Sequence, residues 1–101
     1  MYIVTSTVEV PMEKTQDLIE IYQNRSRRVD QAEGFQQFRL IQNTKKLNEL
    51  TVHMEWQSKE SYLKWVRSSE FKEIHELEKN YPDKDLAGIA PKVRQYEVVA
   101  E

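Results

Sequence analysis

Trp65 and His75 are the two side chains of this sequence best able to hold a flat aromatic group. An indole offers a broad apolar face, and a neutral imidazole is both a common metal ligand and an acid–base group near neutral pH. They stand in the stretch WQSKESYLKWVRSSEFKEIH, which runs from Trp56 to His75 and is broken by the pair Ser68-Ser69. Ser6 is a further candidate, a hydroxyl set into the apolar alternation of Tyr2, Val4, Val8 and Val10. Arg25, Arg27 and Arg28 form a cationic group able to meet a carboxylate. Each has a plainer reading. Inward histidines are mostly hydrogen-bonded boundary residues, and buried tryptophans are mostly core. A serine in an apolar row commonly bonds a nearby carbonyl, and arginines at a helix end commonly face water.

Several chemistries are absent. With no cysteine, disulfides, thiolate metal sites and cysteine nucleophiles are excluded. No HxxxH pair, glycine-rich phosphate loop or nucleophile elbow occurs. The net charge is −2, and no basic block stands out beyond the three arginines, so nucleic acid is not an expected partner. The opening MYIVTSTVEVP is too short and too alternating for a secretory leader, and no apolar run approaches membrane-spanning length. No membrane association and a cytoplasmic location are therefore expected. The 101 residues, 39% hydrophobic and 32% charged, suit a single folded domain over 1–101. A domain this small often borrows stability from a partner subunit.

The elements that must position these residues follow from periodicity. Tyr2–Val10 alternates as a strand, with the even positions sharing one face. Pro11 ends it, and from Met12 to about Arg28 the apolar residues Met12, Leu18, Ile19 and Tyr22 fall at helical spacing, with the arginines at the C-terminal end. Glu33-Gly34 marks a turn into a strand Phe35–Gln42, and Asn43–Asn48 reads as a polar hairpin connection. In the next strand, Glu49–Gln57, Leu50, Val52, Met54 and Trp56 share one face, while His53 points away and reads as a surface or interface residue. Ser58 is a helix N-cap, and Ser68-Ser69 ends one helix and caps the next. Phe71, Ile74 and His75 then form an i, i+3, i+4 face, which predicts that His75 projects inward. Tyr81–Pro91 reads as a loop and lid, and Lys92–Val99 as the last strand.

The order β-α-β-β-α-β, with its second helix in two pieces, predicts an α+β fold: a ferredoxin-like four-stranded antiparallel sheet with helices on one face. The other face is expected to carry Ile3, Thr5, Thr7, Phe35, Thr51, His53 and Val99. That mixture is too apolar for water and too polar for a core, so a homodimer through the sheet face is expected. By motif chemistry alone the function stays open.

The segment Trp65-Val66-Arg67-Ser68-Ser69-Glu70-Phe71-Lys72-Glu73-Ile74-His75 resembles the W-x-[KR]-S-x-x-F-K-x-x-H signature of the Isd-type haem-degrading monooxygenases. These belong to the antibiotic-biosynthesis monooxygenase superfamily of dimeric α+β barrels. Ala32-Glu33-Gly34-Phe35 and Trp56-Gln57-Ser58-Lys59 are similar to further family segments, so the resemblance spans essentially the whole chain. It implies His75 as the axial ligand of haem iron and Trp65 as the residue that packs on the porphyrin and distorts it. It also implies a family asparagine on the first strand near the oxygen-binding side, where this chain carries Ser6. Serine can donate a hydrogen bond but is shorter and lacks the amide.

Phe71 and Ile74 would complete the apolar contact with the ring, and Arg25, or Arg27 or Arg28, would meet its propionates. Burying a porphyrin there would be worth on the order of 10 kcal/mol before entropy costs. Haem is then both cofactor and substrate, opened by O₂ with release of iron, and an unidentified reductase or other external electron donor is required. Two other readings remain open. One is a cofactor-independent monooxygenase of quinols or other aromatics within the same superfamily. The other is a catalytically weak haem-binding protein.

Overall fold

The computed structural model describes residues 1–79, Leu86 and residues 89–101, with side chains through Glu76 in the first stretch. The predicted Tyr81–Pro91 loop falls mostly outside these residues. Strand β1 (Tyr2–Glu9) leads through a 3₁₀ turn at Met12–Lys14 into α1 (Thr15–Gln23), and a second 3₁₀ turn at Arg28–Gln31 leads to β2 (Phe35–Asn43). Then come β3 (Lys46–Trp56), α2 (Lys59–Val66), α3 (Ser69–Lys79) and β4 (Lys92–Glu97). The sheet order is β2-β3-β1-β4, every neighbouring pair antiparallel. This is the predicted ferredoxin-like arrangement.

One face of the sheet carries the core. Tyr2, Val4 and Val10 of the β1 segment and Leu50, Val52 and Trp56 of β3 are all buried, as the period-two pattern requires. The buried side chains divide into two clusters. The first joins Tyr2, Val4, Val29, Trp56, Tyr62 and Trp65. The second joins Val10, Leu18, Leu50 and Leu86. Trp56, 0% exposed, anchors the first, edge-on to Phe35 and Tyr62 at 5.6 and 5.9 Å.

The expected caps form. The Ser58 hydroxyl accepts from the Ser61 amide at 3.2 Å. Ser68 Oγ donates to the Trp65 carbonyl at 2.5 Å and accepts from the Phe71 amide at 3.2 Å, so one side chain closes α2 and opens α3. Gly34 takes φ 79°, and a Cβ there would lie 2.1 Å from Ser61 Oγ. The turn into β2 therefore needs glycine twice over, for its left-handed backbone and for its contact with α2.

Four expectations change. Phe35 lies on the helix-covered face, not the far one: a register shift between Phe35 and Gln37 puts Phe35 opposite Trp56 and Phe38 opposite Met54. The expected Asn43–Asn48 connection is shorter, because the strands run to Asn43 and from Lys46. Asn43 Oδ1 accepts from the Lys45 amide at 2.9 Å and closes the turn with a side chain, so polar residues can stay in the ladder. Met12 is 61% exposed rather than part of the buried stripe, because it sits in the 3₁₀ turn ahead of α1. Finally, α1 ends at Gln23, and Arg27 adopts a left-handed φ of 58°. Arg25, Arg27 and Arg28 therefore lie on the connection after the helix and not on its last turn.

Candidate functional site

Ser6 sits in the middle of β1, level with Val52 of β3 on one side and Val93 of β4 on the other. It marks the boundary between the two core clusters: Tyr2 and Val4 before it belong to the first, Val10 after it to the second. Val52 is buried yet part of neither cluster, so the seam crosses both central strands at one level. On the β4 side the same level is open, with Val93 53% exposed on the helix-bearing face. A half-buried hydroxyl thus lies between a covered valine and an uncovered one, on the floor of the helix side.

Trp65 comes from the last turn of α2 and is 7% exposed. Its ring meets Phe71 of α3 edge-on at 6.1 Å, and Phe71 meets His75 at 4.2 Å. The indole and the imidazole are therefore joined through one phenyl ring, across the break made by Ser68. His75 does not project inward as predicted. It is exposed, while Phe71 and Ile74 are half-buried against the first cluster. The reason is angular: one residue is about 100° of turn, so with Phe71 and Ile74 facing the sheet His75 falls on the flank of the stripe. Its ring still borders the apolar edge of α3.

Arg25 is only 17% exposed and is fully engaged. Its Nη2 donates to Asp30 Oδ1 at 3.1 Å, and its guanidinium carbon lies 4.0 Å from the centre of the Phe38 ring. Phe38 in turn tilts against Tyr22 of α1 at 6.1 Å. Arg27 is 70% exposed and 3.6 Å from the other Asp30 oxygen. Arg28 instead reaches α3, donating to Glu73 Oε2 at 2.7 Å. The sequence did not single out Phe38 or Glu73. Phe38 was legible as an apolar strand residue, but its role as the platform under Arg25 depends on the strand register; Glu73 carries no local signal at all.

Trp65 also borders a pocket of about 150 Å³ between the Arg28–Gln31 turn, α2 and the start of α3, shared with Arg28, Lys64, Ser68 and Glu70. Lys64 is held there by Glu33 at 2.6 Å, and this pairing keeps the Glu33 carboxyl below its usual value. Among the described residues no group of three or more His, Asp or Glu side chains converges as a metal cage. No helix among them is long and apolar enough to cross a membrane. Beside the apolar edge of α3 the described residues offer a single imidazole, that of His75.

Residues 1–77 match the family model described as antibiotic biosynthesis monooxygenase. A heme-degrading monooxygenase of Bacillus mycoides (strain KBAB4) is 34% identical over 82% of this chain and 78% of its own. Another, from Bacillus cereus (strain B4264), is 32% identical over the same shares. In three dimensions the chain resembles the heme-degrader MhuD of Mycobacterium tuberculosis, solved with two hemes bound in its active site. The TM-score is 0.79 at 19% identity, covering 100% of this chain and 98% of that one. With a shared fold and relatives a third identical over most of their length, the chain belongs to the antibiotic biosynthesis monooxygenase family.

Proposed function

We propose that this protein is a haem-degrading monooxygenase that uses His75 as the axial ligand of haem iron. The observation that carries the reading is the row Trp65–Phe71–His75, which sets an imidazole and an indole along one apolar edge. Bound haem would supply the iron that activates O₂, with electrons from an external donor. The chain's part is to bind and shape. His75 would supply a ring nitrogen from the outer flank of α3. Trp65, held rigid by burial at the end of α2, would contact the macrocycle, and Phe71 and Ile74 would complete the apolar wall. Ser6 would supply a hydroxyl from the central strand on the helix side. Arg25, fixed by Asp30 and Phe38, would supply positive charge to a propionate.

The test is a hemin titration of the purified protein, followed by ascorbate under O₂. A Soret band that shifts in His75→Ala, and bleaches with reductant in the wild type, supports the reading. A band identical in His75→Ala removes His75 as the ligand. One observation favours a second reading. A 150 Å³ pocket at Trp65 is below the range of pockets that enclose large ligands but suits a single aromatic ring. A cofactor-independent quinol monooxygenase would consume O₂ with a hydroquinone and leave hemin unbound.

The functional unit in this reading is a cytoplasmic homodimer packed through the far sheet face. Ile3, Thr5, Thr7, Thr51 and His53 share that face by register, together with Ile41 and Tyr96, which are 47% and 46% exposed. A second copy would cover them. Thr51→Asp places a charge at its centre, beside the 2.8 Å Thr7–Thr51 hydroxyl contact. Sedimentation should find a dimer for the wild type and a monomer for the variant; a monomeric wild type at micromolar concentration overturns the dimer.

A further inference from the structure

Tyr2 of β1 and Trp56 of β3 are cross-strand partners on the helix-covered face, and the Tyr62 ring of α2 packs on both, 5.9 Å from each. Tyr2 is 6% exposed, Trp56 0% and Tyr62 9%. Trp65, one turn further along α2, belongs to the same cluster and carries it to the candidate site. Two polar groups in this cluster stand in contrast. Trp56 Nε1–H is buried and has no hydrogen-bond partner among the described residues. An unpaired donor in a folded interior is uncommon, and redox work is one reason for a fold to keep one. The Tyr2 hydroxyl, by contrast, donates to the side-chain oxygen of Gln95, an exposed residue on the edge strand β4.

We propose that Trp56 and Tyr2 form a discharge path that carries an oxidising equivalent out of the core to the β4 edge. The oxidant is a one-electron oxidant derived from peroxide, a by-product of incomplete O₂ activation. It takes one electron from Trp56 by way of Trp65. The oxidised indole of Trp56 keeps its Nε1 proton, because no acceptor meets it. A cation held in an apolar core is poorly solvated and takes up an electron readily. Tyr2 supplies that electron and releases its phenol proton to water through Gln95. The oxidant has then gained one electron, water has gained one proton, and Tyr2 is a neutral radical behind an exposed side chain. A dissolved thiol restores it by giving up a hydrogen atom. Tyr62 serves as the ring that packs the two together. The path goes beyond the haem reading and holds for any aromatic substrate of the site.

The test needs neither haem nor oxidant. Flash photoionisation at wavelengths absorbed by tryptophan and not by tyrosine starts the path directly. The chain has two tryptophans and five tyrosines, so Trp65→Phe leaves Trp56 as the only indole. In that background the Trp56 transient should show the spectrum of the indole cation radical. It should convert to a tyrosyl radical at a rate independent of protein concentration. Tyr2→Phe should abolish the tyrosyl signal, whereas Tyr62→Phe, which keeps the ring and loses only the phenol, should leave it. Gln95→Leu should slow the conversion several-fold, and Gln95→Glu, which keeps an acceptor, should restore it. Circular dichroism confirms that each variant folds.

A tyrosyl signal that survives Tyr2→Phe would overturn the path. So would a Trp56 radical that appears already deprotonated, one that never converts, or a conversion rate proportional to protein concentration. If Tyr2→Phe does not fold, the two exposed substitutions at Gln95 carry the test, and equal rates in Gln95→Leu and Gln95→Glu would overturn the proposal.

Discussion

The imidazole of His75 meets the Phe71 ring at 63°, with centroids 4.2 Å apart. Phe71 is half-buried against the core cluster that holds Trp65, so a rigid part of the fold braces a side chain that is otherwise exposed. This brace separates two roles that substitution can tell apart. His75→Ala should abolish the histidine-ligation signature of bound hemin with little change in melting temperature, because an exposed side chain contributes little to the core. Phe71→Ala should keep that signature but weaken hemin binding, and should cost about 1–3 kcal/mol of stability as a partly buried ring is lost. Hemin titration and urea unfolding of both variants check this. A Phe71→Ala protein with unchanged affinity would mean that the ring does not position the imidazole.

Gly34 gives a sharper stability test. Alanine there would adopt a left-handed backbone, and its Cβ would overlap Ser61 Oγ at 2.1 Å and Ser61 Cβ at 2.5 Å. The backbone conformation costs about 1–2 kcal/mol and the overlap a similar amount, so Gly34→Ala should destabilise by about 2–4 kcal/mol. Replacing Ser61 by glycine in the same chain should recover the steric part and leave the backbone part. Full recovery in the double variant would show that φ 79° is not a strained state for alanine here.

Much of this structure is legible because its signals are local. The even face of β1, the Ser58 cap, the Ser68 break and the Gly34 turn are all set by residues within a few positions of one another, and all appear where the sequence puts them. The failures at Phe35 and His75 share one cause, which is that they depend on how distant elements meet. The register shift that turns Phe35 inward is fixed by pairing with β3. The outward flank of His75 is fixed by which side of α3 meets the sheet, and a pattern of i, i+3, i+4 cannot distinguish the centre of a stripe from its margin. The Arg28–Glu73 bond joins segments that share no motif.

The pH dependence of stability should show an alkaline limb. Burial, with Tyr2 adding to it, raises the Tyr62 phenol above its ordinary value. Below about pH 10 the phenol is neutral in both states and makes no difference. As pH climbs past the unfolded value, the unfolded chain loses its proton first and is favoured, so the stability that Tyr62 contributes is lost as pH rises toward the folded value. Tyr62→Phe should flatten this limb and leave stability near pH 7 within about 1 kcal/mol. Lys46, raised by its bond to Glu9, gives up its pairing in the same range. The difference between wild type and variant, measured by urea unfolding from pH 7 to 11, therefore carries the test, and parallel curves would refute it.

Ser6 sets fold against function at one position. It lies level with Val52 and Val93 on a central strand, so the sheet alone would favour a third valine. Ser6→Val should stabilise the protein by about 0.5–1 kcal/mol through cross-strand contacts and strand propensity. If the hydroxyl serves the seam, the same change should leave hemin binding in place and lower the rate of haem loss under ascorbate and O₂. Ser6→Asn should act in the opposite direction, lengthening the polar group toward the ligand and raising that rate at some cost in stability. A Ser6→Val protein that melts lower than the wild type would mean that the hydroxyl belongs to the fold. A stabilised Ser6→Val protein that degrades haem at the wild-type rate would remove Ser6 from the chemistry and leave Trp65 and His75 to account for it.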